Sequence, residues 1–435
     1  MIIKISLVLL GVISQAFGLS LSDYSPYEYK VLFTNPECKL YEYEEPVYSN
    51  DGTLLTSKPK NVYCKKSDFE LNSERADSPH YELKELISDK GLKSLFFAFL
   101  SFSNDEIANQ ICDAIKRNVA VTFIIDSNSE ARPSSRKALD FIAGCTPENL
   151  SEGETPNIPK TYFRGNDSGI GYAHNKVIIA NYDDPNKVRL VYGSGNMSSG
   201  TILHHENWHF VTTSSKSFLA QSHVCLQKAM LDAGNSKSEY KKVFKTCRSS
   251  ISAPVEDDIE MMVVPSDGQR AMKNIVDNFK KAVSVDVAVH RFTHPDLINA
   301  MVEASEQDKL VRFVADDDIY WTGVRKKMTG SNMFFEFVNA MKVVKSGVET
   351  RYIQSNQNHR LLHHNKFVLY HYPDGTGSVH AGAGNFTKAA FTKNMENYYF
   401  ITIPEVVEAF KKQFDHKFSN LATPYEKMPA TYVMP

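Results

Sequence analysis

Apolar and polar residues alternate in two short stretches of the chain, Leu95–Phe97–Phe99 and Val285–Val287–Val289. A period of two reads as a β-strand with one face turned to a core. After each stretch the period lengthens. Ile107, Ile111 and Ile115 keep helical spacing behind Asn104, an N-cap residue, and Leu297, Ile298 and Met301 do so behind His294–Pro295. Short apolar strands ending in an acid come next, VAVTFIID closing at Asp126 and LVRFVAD at Asp316. A helical stretch that differs between the two follows, then strands expected around Tyr162 and Tyr352. HNKVIIAN and HNKFVLYH read as further strands, followed by RLVYGSGN and SVHAGAGN. Strands alternating with helices point to an α/β fold.

The two series are one pattern written twice. His174-Asn175-Lys176 recurs as His364-Asn365-Lys366, 190 residues on, and the offset also carries Phe102 to Phe292, Asp126 to Asp316, Tyr162 to Tyr352 and Glu206 to Glu396. Asn196 meets Asn385 after one residue of slippage. A register held this long is an internal repeat. Cys112 and Cys145 fall opposite Val302 and Phe335, which suggests inward-facing positions. The expected organisation is a signal peptide (1–18), an N-terminal extension (19–85), a first repeat (86–212), a linker with helices (213–275), a second repeat (276–404) and a C-terminal helix and tail (405–435). The extension is polar, with a hairpin expected around SNDGT. SFLAQSHVCLQKAMLDA and EVVEAFKKQFDHKF read as helices of the linker and the tail, and a Pro-containing extended stretch ends the chain.

Composition narrows the setting. The 435 residues carry a net charge of −2, so no global basic field draws the protein to polyanions, though a local basic cleft is compatible with it. Lys4, the apolar run Ile5–Phe17 and the small residues Ala16 and Gly18 predict a secretory signal and a secreted or periplasmic location. Six cysteines, Cys38, Cys64, Cys112, Cys145, Cys225 and Cys247, favour disulfides in an exported chain. Six allow fifteen pairings, of which nearest-neighbour pairing is the economical one.

The residues kept by both copies are a His and a Lys two apart, an Asn about 20 later, and a Glu 10 or 11 beyond that. On a strand, positions i and i+2 share a face, so each His and Lys project together. If the halves meet at these strand ends, the set suits a phosphodiester. Lys176, Lys366, Asn196 and Asn385 can hold non-bridging oxygens and stabilise transition-state charge. One of His174 and His364 can attack phosphorus, and the other can protonate the leaving alcohol and then activate water. Glu206 and Glu396 can each fix a histidine tautomer. No metal or cofactor is required.

These motifs resemble the phospholipase D superfamily, whose signature is His-x-Lys followed by Gly-Ser/Gly-x-Asn. The second copy, HHNKFVLY with AGAGNFTKAAFTKNMENYYF, is similar to the family's small bacterial endonucleases. The resemblance covers about residues 90–212 and 280–402. It implies two phospholipase D-like α/β/α halves packed with pseudo-twofold symmetry, the active site at their interface, and a monomer, since both half-sites lie in one chain. It further implies a metal-independent, two-step transfer through a covalent phosphohistidine, with His174 as nucleophile and His364 as general acid. Ser194, where the second copy has Ala383, becomes a candidate substrate contact. The family's Asp five residues after the Lys is replaced by Asn181 and His371. His204, His205, His209 and His363 are read as rim or packing residues rather than metal ligands, and Trp208 and Tyr398–Tyr399 as core. Sequons at Asn149 and Asn166 could carry glycans in a eukaryotic host, while those at Asn196 and Asn385 would have to stay bare. Phospholipase D activity on phospholipids is the expected function, with transient contact to a membrane surface and no stable protein partner. A secreted endonuclease acting on nucleic acid is the alternative, and an inactive binding protein a third reading.

Overall fold

A computed structural model describes residues 19–21, 27–36, 38–40, 47–51, 58–59, 64–148, 150–253, 257–321, 334–356 and 361–428. The signal peptide, the strands of the SNDGT hairpin, the sequon at Asn149 and the end of the tail lie outside them. Among the described residues no helix is long and apolar enough to cross a membrane.

The strands of the first sheet are β1 (Leu19–Leu21), β2 (Tyr27–Phe33), β3 (Ser94–Phe99), β4 (Ala120–Asp126), β5 (Lys160–Asp167), β6 (Ile170–Tyr172), β7 (Lys176–Ala180), β8 (Lys187–Gly193) and β9 (Asn207–Ser214). They run in the order β1-β2-β9-β8-β7-β3-β4-β5-β6. The second sheet holds β10 (Ile259–Val264), β11 (Ser284–Val289), β12 (Leu310–Asp316), β13 (Glu349–Ile353), β14 (Lys366–His371), β15 (Gly377–Gly382), β16 (Glu396–Ile401) and β17 (Ala422–Pro424). Its order, β10-β16-β15-β14-β11-β12-β13-β17, repeats the first from β2 to β5. In both, the first two strands of the repeat pair parallel, β3 with β4 and β11 with β12, while the His–Lys strands β7 and β14 pair antiparallel.

The expected helices form. Asn104 Oδ1 accepts from Ile107 N at 3.0 Å to cap Asp105–Lys116, and His294 caps Pro295–Glu306. Phe218–Asp232 and Pro404–His416 are the linker and tail helices. Outer helices cover one face of each sheet, giving one apolar cluster that includes Phe97, Ile111 and Trp208 and another that includes Val287, Met301 and Tyr398. A third cluster lies between the sheets and joins the halves, with Tyr192 and Tyr399 stacked at 3.7 Å and Phe410 of the tail helix packed beside them. This is the α/β, two-half architecture the repeat implied.

The repeat is longer than its 190-residue register. β2 pairs with β9 as β10 pairs with β16, so segments assigned to the extension and the linker supply equivalent strands. Thr34 N bonds Glu206 O, and Val264 lies opposite Glu396, positions 230 rather than 190 residues apart. The helices that follow, Pro79–Ser88 and Gly268–Lys281, return to the shorter spacing. An insertion between β2 and the first of these helices therefore masked the equivalence. It carries Cys38 and Cys64, which are bridged; Cys112–Cys145 and Cys225–Cys247 are the other two disulfides. The second-copy partners of Cys112 and Cys145 do not both face inward: Val302 is half-buried and Phe335 is 70% exposed.

Candidate active site

Each His–Lys strand begins where the two halves touch. Ala173 forms a parallel bridge with Met395, and His363 does so with His205. His174 N donates to Met395 O at 2.9 Å, and His364 N to His205 O at 3.1 Å. Each lead-in to a His–Lys strand is thus zipped to the lead-in of the other half's glutamate strand. The middle residue of each tripeptide locks the seam: Asn175 Nδ2 donates to Asn397 Oδ1 at 3.2 Å, and Asn365 Nδ2 to His205 O at 2.7 Å.

This seam crosses the carboxylates. His174 Nδ1 lies 2.8 Å from Glu396 Oε2, and His364 Nδ1 lies 2.7 Å from Glu206 Oε1. Each histidine is therefore oriented by the glutamate of the opposite half, and neither repeat alone contains a complete pair. The bond at Nδ1 leaves Nε2 of each ring for chemistry. His174 and His364 are 7% and 5% exposed, while both lysines and both glutamates are fully buried.

The lysines sit with their histidines. Lys176 Nζ donates to His174 O at 2.8 Å and lies 3.2 Å from His174 Nε2; Lys366 Nζ donates to His364 O at 2.5 Å. Burial pulls the Lys176 ammonium down to about 8 and lowers Lys366 strongly, with Glu206 and Glu396 opposing the shift at both. Charges from both halves act on each lysine, so the two His–Lys–Glu sets share one electrostatic environment. The amide oxygens of Asn196 and Asn385 are buried with no partner among the described residues. Gly195 and Gly384 put them there. A Cβ at Gly195 would overlap the Trp208 ring, and one at Gly384 the Tyr398 hydroxyl.

The two carboxylates differ. Glu206 accepts from Ser194 Oγ at 2.5 Å as well as from His364. Despite its burial, the neighbouring His364, His204 and Lys366 hold its carboxyl far below the usual range. Glu396 accepts from Asn394 Nδ2 at 2.9 Å, and burial pushes its carboxyl up to about 8. Burial lowers His364 to about 3, against the pull of Glu206.

Other residues find different places. Ser194 is fully buried, and its hydroxyl also accepts from Asn207 N at 3.0 Å, so it supports Glu206 instead of meeting substrate. Asn181, at the far end of β7 with φ 56°, ties the chain to Lys93 N and Gly91 O. His371, ending β14, reaches Asp286 at 3.1 Å. Five residues at roughly 3.3 Å per step separate these positions from Lys176 and Lys366, so the replaced Asp lies at the far end of each strand from the His–Lys pair. His209 is a core residue, bonded to Tyr29 at 2.6 Å and stacked on Tyr192. His205 and His363 are buried facing each other, and Trp208, Tyr398 and Tyr399 are core. Asn166 is exposed, but its amide donates to Asp126.

Three features of the site escaped the sequence reading. Asp126 Oδ2 accepts from Ala173 N at 2.8 Å and Asp316 Oδ2 from His363 N at 2.9 Å, so each acid pins the residue before a site histidine. Their shared 190-residue offset was the available signal. Next to Asp316, the insertion contributes Lys58, whose Nζ reaches Asp317 at 2.6 Å and Asp318 at 2.7 Å. Its ammonium occupies the place a cation would take among these acids. Finally, His290 and His204 flank His364, with ring centroids at 4.8 and 5.7 Å.

Two half-sites of His, Lys, Asn and Glu on paired α/β halves define a phosphodiesterase-type enzyme built by duplication. Residues 275–418 match the family model described as cardiolipin synthase, PLD-like domain. The fold is similar to that of a phosphatidylserine synthase from Haemophilus influenzae, at 14% identity over 80% of this chain and 85% of that one, with a TM-score of 0.55. The phospholipase D family member Nuc from Salmonella typhimurium is 24% identical, covering 38% of this chain and 97% of its own, with a TM-score of 0.31. No curated protein matches the chain. The second half of the chain, with its half of the site, is thus similar to a PLD-like domain.

Proposed function

We propose that this protein is an exported phospholipase D that cleaves a phospholipid headgroup through a covalent phosphohistidine. The observation that carries the reading is the reciprocal pairing of each buried histidine with the other half's glutamate, beside two buried lysines. His174 Nε2 attacks phosphorus while Glu396 receives the Nδ1 hydrogen bond. The developing charge is met by Lys176, Lys366, Asn196 and Asn385. His364 protonates the departing alcohol, and the ionised Glu206 stabilises the imidazolium that this role requires. A bound phosphodiester anion raises His364 further toward the protonated form. In the second step His364 activates water, which releases the phosphate from His174.

A phospholipid is favoured over nucleic acid by two points. The net charge of −2 supplies no field for a polyanion, and the solved protein with a like overall fold is named a phosphatidylserine synthase. Three disulfides and the N-terminal sequence support secretion or a periplasmic location, with the protein acting as a monomer that touches membranes transiently. The test is a parallel assay in EDTA on phosphatidylcholine, cardiolipin, DNA and RNA, with His174→Ala as control. Headgroup release by the wild type, and transfer to added ethanol, are expected; His174→Ala should show neither. Cleavage of DNA or RNA alone would replace the lipid assignment with the nuclease, and loss of activity in EDTA would overturn the metal-free mechanism.

A further inference from the structure

The halves differ at one position beside the carboxylates. In the first half-site Glu396 is met by the amide of Asn394. The residue 190 positions earlier is His204, so the second half-site has an imidazole where the first has an amide. His204 Nδ1 lies 3.4 Å from Glu206 Oε1, is buried, and makes no hydrogen bond among the described residues. His364 Nδ1 meets the same oxygen at 2.7 Å. The two ring nitrogens and the carboxylate oxygen all lie within 4.8 Å of one another.

We propose that His204, Glu206 and His364 form an inhibitory site for a borderline divalent cation such as Zn2+. Two imidazoles and one carboxylate are an ordinary three-residue zinc set, leaving a fourth position for water. Bonds of ~2.05 Å in tetrahedral geometry place ligand atoms ~3.3 Å apart, close to the His204–Glu206 separation. Zinc would take the lone pair of His364 Nδ1, and the single proton of the neutral ring would sit on Nε2. Glu206 would then bond the metal in place of the histidine, and Ser194 Oγ would remain on its second oxygen. His364 could no longer shuttle a proton at Nε2 against an ionised Glu206, so turnover would stop. The first half-site cannot do this, because an amide nitrogen offers Asn394 no lone pair to a metal. The site is independent of which phosphodiester is cleaved.

Zinc titrated calorimetrically into metal-stripped protein without substrate should bind once, and Co2+ should give the visible bands of a four-coordinate nitrogen–oxygen site. Loss of a ligand should weaken binding by more than the roughly 10- to 100-fold that outer-shell changes cost. His204→Asn, which copies the arrangement around Glu396, and His364→Asn should each show that loss. Zinc should also lower activity, and EDTA restore it. Wild-type protein that binds no zinc, or either variant binding it as tightly as wild type, overturns the site. Because binding is read on resting protein, its failure is distinct from failure of the lipase assignment.

Discussion

Glu206 lies in the first repeat by sequence, yet its hydrogen bond is to the histidine of the second. Glu206→Gln tests that crossing. The carboxylate is fully buried and accepts from His364 Nδ1 at 2.7 Å. A hydrogen bond to a charged group contributes roughly 1.5–3 kcal/mol. At about 1.4 kcal/mol per decade, the substitution should lower kcat/KM by roughly 10- to 150-fold. The position of the bond is read separately by a double-mutant cycle in urea unfolding with the disulfides intact. Glu206→Gln combined with His364→Asn should show a coupling of about 1.5–3 kcal/mol, because either change removes the same bond. Glu206→Gln combined with His174→Asn should couple more weakly, since only longer-range charge links that pair. A coupling larger for His174 than for His364 would refute the crossed arrangement.

Three other outcomes follow from the same geometry. Below about pH 8 Glu396 holds a proton and gives it to His174 Nδ1, which leaves the other ring proton on Nε2 and blocks attack; kcat/KM should therefore rise with pH toward 8, a limb that Glu396→Gln lacks. Lys417 is fully buried without a hydrogen-bond partner among the described residues, and burial lowers it to about 7. Since the unfolded chain holds that proton up to about 10.5, the cost of the buried charge is full below pH 7 and fades above it. Lys417→Met should accordingly stabilise the protein by about 1–4 kcal/mol at pH 6 and by less at pH 10, measured by urea unfolding. Lys58→Met should destabilise by roughly 3–5 kcal/mol, because it strands the buried Asp317 carboxylate. It should also lower kcat through Asp316, which pins His363; unchanged stability and turnover would show that the ion pair is not formed.

Much of this was legible because duplication wrote the key residues twice. Strand and helix periods around Leu95 and Val285 located matching elements, and the 190-residue offset joined His174, Lys176, Asn196 and Glu206 to His364, Lys366, Asn385 and Glu396. The offset failed where the insertion carrying Cys38, Lys58 and Cys64 separates β2 from the next helix, which hid the equivalence of β2 and β10. Ser194 was misjudged for another reason. A serine in a Gly-Ser-Gly-Asn turn looks available, but its hydroxyl turns into the protein toward Glu206.

By itself the sequence determined the duplicated α/β fold and the chemical inventory of the site, because both depend on local periodicity and on spacing along one strand. Which glutamate serves which histidine was decided only in three dimensions. The bridges Ala173–Met395 and His205–His363 join backbone segments 222 and 158 residues apart, and no local pattern encodes such a pairing. The unequal protonation of Glu206 and Glu396 has the same origin. It depends on which groups the fold brings to each buried carboxylate: His364, His204 and Lys366 around one, Lys176, Asn394 and Lys366 around the other.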